Sequence, residues 1–466
     1  MKLFKYVFIT LLIMFCAATA TAQEFVEGEL SLNEYLGYVK KYHPIVRQAN
    51  LKISRAQAEL MAARGGFDPK IEVDYNEKQF KETEYYSLLN SSFKIPTWYG
   101  IEIKAAFDNS EGVYVNPQNK TPNAGLTSLG LTVPVGNGLF INDRMADVQK
   151  GKLQLSLSEA ERKLAATEVL YDAAKAYFEW KKTYTEMRMY EDYLGYASER
   201  YAGVLQLIEL GDSPRIDSVE SGITVKTRRL NFENAKLKYT KARLNLANYL
   251  WIENVPVEPA DTMYPEENLA ATITETLQTN KLLFEPGNLE EHPKIQSLQT
   301  KLDILEVDRR LKANKLLPKL EVGYHYLSEP SYFDNYRFND YKVSAYFSFP
   351  IFLRKERGNL QVAKFKIQDA QYELGQQQLQ LQNKIRAQQT EIESLMQQKE
   401  MAGALVADYD VMLKSEVELF SYGESSIFLI NSRENKLVEA MLKQIDLENK
   451  YFISNAELFK IMANPD

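Results

Sequence analysis

The chain has 466 residues, 45% of them hydrophobic and 26% charged, with a formal net charge of −7. That apolar content excludes wholesale disorder, and the lack of a basic stripe or tail argues against nucleic acid as a partner. Cys16 is the only cysteine, so disulfide and thiol chemistry are excluded once the N-terminal segment is removed.

Lys2 and Lys5 precede an apolar run from Tyr6 to Cys16, and Ala20-Thr21-Ala22 precede Gln23. This is the pattern of a secretory signal peptide over residues 1–22, too short for a spanning helix. Met14 and Phe15 are bulky where a lipoprotein acceptor site takes small residues, which argues against lipidation at Cys16. After residue 23 no apolar run reaches about 18 residues, so an exported chain that meets a membrane does so with strands or an interfacial face.

Ser31-Leu32-Asn33-Glu34 predicts a capping box and a helix. His43-Pro44 interrupts that helix, a second one runs to about Arg64, and Gly65-Gly66-Phe67-Asp68-Pro69 stops it. The period then changes to alternation. Ile71, Val73 and Tyr75 share a face, and Gly100–Phe107 and Leu126–Val135 read as further strands within 70–135. Tyr85, Tyr86, Trp98, Tyr99 and Tyr114 suit the aromatic girdle of a membrane barrel, although soluble β-domains also expose tyrosines. The piece from Lys81 to Asn123 is open between a long loop, an added hairpin and a plug.

From Ile141 to Leu210 there is no proline, and strong helix formers dominate. A nearly continuous helix of roughly 105 Å is expected at ~1.5 Å per residue. Leu157, Leu164, Tyr171 and Phe178 recur every seven residues. After the turn Gly211-Asp212-Ser213-Pro214, the residues Ile223, Leu230, Leu237, Leu244 and Trp251 do the same. The spacing predicts an antiparallel hairpin over 141–252 with these residues in its coiled-coil seam. Residues 256–288, with Pro256, Pro259, Pro265 and Pro286, read as a connector with one or two short helices.

The pattern then repeats. His292-Pro293 echoes His43-Pro44 and Leu317-Pro318-Lys319 echoes Asp68-Pro69-Lys70; Pro44 to Pro69 and Pro293 to Pro318 are both 25 residues. Strand-like residues over 319–350 lead to a second long hairpin over 358–462, with Leu360, Ile367, Leu374 and Leu381 at spacing seven. It turns at Gly423-Glu424-Ser425-Ser426 and returns through Val438, Ile445, Phe452 and Phe459. The chain is therefore an internal duplication, 23–255 and 289–466, joined by the connector.

A long helical pair cannot bury all its sides alone, and an open sheet in lipid leaves bare amides that cost several kcal/mol each. With roughly four strands per chain, closure needs several copies, giving one barrel of about twelve strands. The duplicated order of helix with His-Pro, Asp-Pro before strands, long helix, Gly turn and return helix resembles the TolC-like outer-membrane efflux family over essentially the whole exported chain. The resemblance implies an α+β membrane protein, a homotrimer with a shared transmembrane β-barrel and an α-helical tunnel through the periplasm. It implies no enzyme activity, cofactor or metal. Its partners would be outer-membrane lipid, a periplasmic adaptor (membrane fusion) protein and an inner-membrane pump, for efflux or type I secretion.

In that family, polar links near the two turns close the inner end of the tunnel. Aligned on the turn glycines, the linking aspartate falls at Asp217, the expected tyrosine at Phe420, the expected arginine at Ser425, and two constriction acids at Leu429 and Ser432. The polar lock is thus not preserved as such. A resting gate is left to apolar packing around Phe420 and Leu429, or to Asp212, Arg215 and Glu424. The plainer role for Asp212, Asp217 and Glu220 is helix capping and complementing the helix dipole. Gly211, Pro214 and Gly423 shape the turns that an adaptor would touch.

His43 and His292 precede prolines at matching places, which suits a helix-start role better than a metal site, and His325 is remote from both. The glutamine-rich run Gln376 to Gln398 suits a wet tunnel wall or a solvated helix face. No nucleophile motif, phosphate loop or cofactor fingerprint occurs. The alternative to a channel is a periplasmic coiled-coil adaptor or scaffold, but that class carries one hairpin between β-rich halves, where two hairpins are expected here.

Overall fold

The structure, a computed structural model, describes residues 28–279, 289–330 and 339–463. The expected signal peptide over 1–22 and Pro286 of the connector lie outside the described residues.

Helix α1 (Leu32–Tyr42) starts at the capping box, where the Ser31 hydroxyl oxygen accepts from the Glu34 amide at 3.2 Å. His43 takes an extended conformation, and α2 (Pro44–Arg64) begins with proline where the missing N–H costs nothing. Four strands follow: β1 (Lys70–Phe80), β2 (Thr83–Pro96), β3 (Glu102–Glu111) and β4 (Leu126–Pro134). Helix α3 (Asp143–Leu210) runs 68 residues, about 100 Å at the helical rise. It returns as α4 (Ile216–Ala247), and the connector carries one short helix among the described residues, α5 (Leu269–Thr276). The second repeat supplies α6 (Pro293–Asn314), β5 (Lys319–Ser328), β6 (Tyr341–Ser348), α7 (Arg354–Ser421) and α8 (Ile427–Met462). Helix α7 is also 68 residues long, matching α3 in the other repeat.

The six strands form one antiparallel sheet in the order β6-β5-β4-β3-β2-β1. This corrects the expectation of about four strands. The segment from Lys81 to Asn123 supplies β2 and β3 as rungs of the same sheet. The missed signal is the β1–β2 turn, in which Lys81 and Glu82 both adopt positive φ, 51° and 57°, between the paired Phe80 and Thr83. That is the geometry of a two-residue type I′ hairpin, normally written Asn-Gly. Lys-Glu carries no such signature in sequence.

The chain forms two compact units. One contains the sheet, α2, α6 and the sheet-proximal stretches of α3 and α7. Its core joins Ile141, Met145 and Ala146 to Val307 and Leu311 of the second repeat, with Phe67 and Leu153 against them. The Asn314 amide donates to the Ile141 carbonyl at 2.7 Å. Beside this core, Gly136 lies so close to the Pro318 carbonyl that a Cβ would come within 2.2 Å, so glycine lets the Val135 and Asn137 amides of the first repeat donate to the Leu320 and Pro318 carbonyls of the second.

The other unit contains α1, α4, α5 and the remaining parts of α3, α7 and α8. Trp180, Tyr177 and Phe178 are fully buried, and Phe178 meets Phe452 with ring centroids 5.5 Å apart. One member of each of these two seven-residue series, Phe178 and Phe452, thus packs against the other. On α4 the period is right but the phase is not. Ser221, Arg228, Ala235 and Ala242 face the interior of the chain, while Ile223, Leu230, Leu237 and Leu244 are 58%, 63%, 55% and 46% exposed. Small side chains let neighbouring helices of one chain approach closely, which leaves the leucines outside. On α7, Phe365, Tyr372 and Leu379 form a second exposed series at spacing seven.

Candidate functional site

The sheet is two-faced. Cross-strand pairing sets Ile71, Phe93, Ala105, Leu129, Tyr326 and Tyr341 in one row, and Val73, Tyr75, Phe107, Leu131, Tyr324, Val343 and Phe347 share that face. The opposite face carries Glu72, Asp74, Lys94, Lys104, Asp108, His325 and Lys342, with Lys94 ion-paired to Glu72. Most of the strands have 8 to 11 residues, the length that crosses a bilayer when tilted. Aromatic rings gather at the sheet's two ends. Tyr114 packs on Tyr85 at 4.7 Å and Phe80 on Tyr85 at 6.0 Å near the hairpin tip, and Trp98 stacks on Phe67 at 5.3 Å where the chain leaves α2. Apolar-out, polar-in alternation with aromatic ends is the pattern of a transmembrane β-barrel wall.

The two helical turns are built alike. At the first, the Gly211 amide donates to the Ile208 carbonyl and the Asp212 amide to the Leu207 carbonyl. At the second, the Gly423 amide donates to the Phe420 carbonyl and the Glu424 amide to the Leu419 carbonyl. Both are Schellman caps, and both glycines hold the positive φ that such a cap requires, 86° and 77°. Pro214 then supplies the carbonyl that accepts from the Asp217 amide at the start of α4.

Asp212, Pro214, Arg215, Glu424 and Leu429 are exposed, while Asp217, Phe420, Ser425 and Ser432 are half-buried. Only Ser425 of these joins a polar cluster through its side chain. Its hydroxyl donates to Glu416, which also accepts from Arg433 Nε at 3.3 Å. The Ser425 hydrogen bond, then Arg433, holds the Glu416 carboxyl below the ordinary glutamate range. A depressed folded-state pKa means that the link contributes fully above the ordinary glutamate pKa and is lost as pH falls through the lower folded value. Acidification below about pH 4 should therefore loosen the second turn. Glu416→Gln should remove the low-pH part of the melting-temperature profile; an unchanged acid limb in the variant would assign it to other carboxylates.

The tightest link was not legible as a motif. Glu434 on α8 is 1% exposed and is held by two arginines of the first repeat. Arg228 on α4, itself 4% exposed, donates from Nη2 to Glu434 Oε1 at 3.0 Å and to Asn435 Oδ1 at 2.7 Å. Arg200 on α3 donates through Nη2 to Glu434 and through Nη1 to Asn431 Oδ1 at 3.1 Å. Asn431 in turn donates to Glu220 at 3.4 Å, and the Tyr193 ring lies 5.9 Å from the Arg228 guanidinium. One carboxylate thus ties three helices of the two hairpins. The signal was Arg228 itself, an arginine in phase with Ser221, Ala235 and Ala242, which needs a buried acid opposite it.

His43 stacks on Tyr249, and His292 caps α6 by accepting from the Lys294 amide at 3.1 Å. Among the described residues no cluster of His, Cys, Asp or Glu could hold a metal ion, and no helix is long and apolar enough to cross a membrane.

A two-faced antiparallel sheet carried on twin long helical hairpins defines a channel-forming outer-membrane protein. The chain matches the family described as outer membrane efflux protein over residues 39–250 and 288–464, and it belongs to that family. Its fold is similar to the CmeC outer membrane channel of Campylobacter jejuni (14% identity, TM-score 0.62, 93% of this chain and 85% of that one). It is also similar to the MtrE outer membrane channel of Neisseria gonorrhoeae in its open state (14%, 0.64, 93% and 89%). The outer membrane protein VceC of Vibrio cholerae is a third (14%, 0.61, 93% and 95%). No curated protein sequence matches the chain. The protein is an outer-membrane efflux channel that extends into the periplasm.

Proposed function

We propose that three copies of this chain assemble into one passive conduit, closed at rest near the Gly211 and Gly423 turns. The turns dock a periplasmic adaptor protein, and an inner-membrane pump supplies the energy for efflux or secretion. The chain itself performs no catalysis and needs no cofactor. The observation that carries this reading is the leucine stripe of α4, four apolar residues at spacing seven that a single chain leaves exposed. Such a stripe is a coiled-coil seam without its partner. The Glu434 clamp holds the two hairpins together at rest and the Ser425–Glu416–Arg433 cluster ties the two arms of the second hairpin at its turn, with Phe420 and Leu429 as apolar neighbours of that turn, Ser432 beside the clamp, and Asp212, Arg215, Asp217 and Glu424 free to meet a neighbouring copy. The adaptor alternative has no use for a sheet with one largely apolar face.

Conductance in a planar lipid bilayer tests the gate. Detergent-purified wild type should show a small, stable conductance, and Phe420→Ala or Asp217→Ala should raise it several-fold. Failure of wild type and both variants to insert or conduct where a porin does would overturn the conduit.

A further inference from the structure

Among the described residues the outer strands β1 and β6 each have one edge without a partner in the sheet, and every residue of both is exposed. Bare amides of such edges cannot persist in lipid. We propose that β1 of one copy pairs with β6 of the next, so that three copies close a barrel of eighteen strands. This rests on the homotrimer reading and goes beyond it: the outer-membrane portal is porin-wide, about half as wide again as a twelve-strand barrel.

Three features fit. First, parity: successive strands alternate in direction along the whole sheet, so β1 and β6 run oppositely and can join antiparallel. Second, face: an even-numbered residue of β1 opposite an even-numbered residue of β6 continues the polar side, and odd opposite odd continues the apolar side. Flush pairing of Lys70 with Ser348 does this and sets Ile71 against Phe347, Val73 against Ala345 and Asp74 against Ser344.

Third, closure. The row across the sheet from Lys70 passes through Lys94, Lys104, Gly130 and His325 to Lys342. In the flush register Lys342 meets Asn76 of the next copy, six residues further along β1 than Lys70. Six residues of advance for six strands makes the shear equal to the strand number. That ratio corresponds to a strand tilt of about 36°, inside the range of known barrels. Sliding two residues one way would set Lys342 directly against Lys78, a like-charge pair. Sliding two the other way would lower the shear to two-thirds of the strand number and flatten the tilt below that range.

Engineered disulfides in a Cys16→Ser background test the edge pairing, because no other cysteine competes. Asp74→Cys with Ser344→Cys, oxidised in outer membranes, should give covalent dimers and trimers on a non-reducing gel that collapse to monomer on reduction. Ala106→Cys with Ser344→Cys should give none; it reports β3 at the edge, the closure that a four-strand contribution per chain would use. Cross-linking of the second pair instead of the first overturns the eighteen-strand barrel and leaves the trimer standing. An internally bridged monomer from the first pair overturns it in favour of single-chain closure, and absence of bridges from either pair overturns it as well. Light scattering of the purified protein reports the trimer separately, so loss of that reading is recognised on its own.

Discussion

Glu434→Ala destabilises the protein by about 3–5 kcal/mol, the cost of breaking a buried ion pair from one side. The carboxylate is almost wholly buried and satisfies Arg228 and Arg200 together. Its removal leaves two guanidinium groups facing each other, of which Arg228 cannot reach water without moving α4 against α8. Glu434→Gln keeps the shape but not the charge, so it should lose nearly as much. Replacing the triad as a whole by Glu434→Leu, Arg200→Met and Arg228→Met should recover most of the loss, because apolar groups of similar volume remove the desolvation cost altogether. Thermal unfolding of the detergent-purified protein, followed by circular dichroism, measures this. A loss under about 1 kcal/mol in Glu434→Ala, the value of an exposed pair, would mean that the clamp does not join the hairpins.

The same clamp shows what the chain reveals before it folds. The duplication was readable because two copies of one design keep their punctuation. Both turn glycines stand where a Schellman cap needs positive φ, and the two 68-residue helices match. The length of the hairpins and the alternation of Ile71, Val73 and Tyr75 were equally plain. Two things were hidden for physical reasons. A two-residue turn written Lys-Glu has no composition signal, so the strand that follows it, Thr83–Pro96, stayed unseen. The phase of α4 was inverted because hydrophobicity reports that a face is buried, not by which chain. Within one chain, close helix approach favours serine and alanine, and the leucines are left outside. The clamp was hidden because an arginine among small residues is conspicuous only when the seam is already known. Of the candidates placed by aligning the turn glycines, only Ser425 joins a polar cluster through its side chain, and the acids and bases that tie the hairpins together lie further along the helices.

Leu230→Glu combined with Leu237→Glu converts the assembled protein to monomers without unfolding the chain. The two side chains are 63% and 55% exposed in the single chain, so their replacement removes little intrachain packing. In an assembled ring each would be buried against a neighbour, at a value of about 1.5–3 kcal/mol per leucine. The double variant loses that burial at every contact and adds two carboxylates with no partner, whose desolvation costs further. Because the ring repeats the contact at each of its interfaces, the losses multiply and association at micromolar protein falls below detection. Light scattering in detergent should report the mass of one chain, while far-ultraviolet circular dichroism keeps its helical amplitude. Lys236→Glu, an equally exposed change one residue aside from the stripe, should leave the trimer intact. A variant that still runs as a trimer would show that α4 faces solvent in the assembly, and the seam would then have to be sought on the exposed Phe365, Tyr372 and Leu379 series of α7.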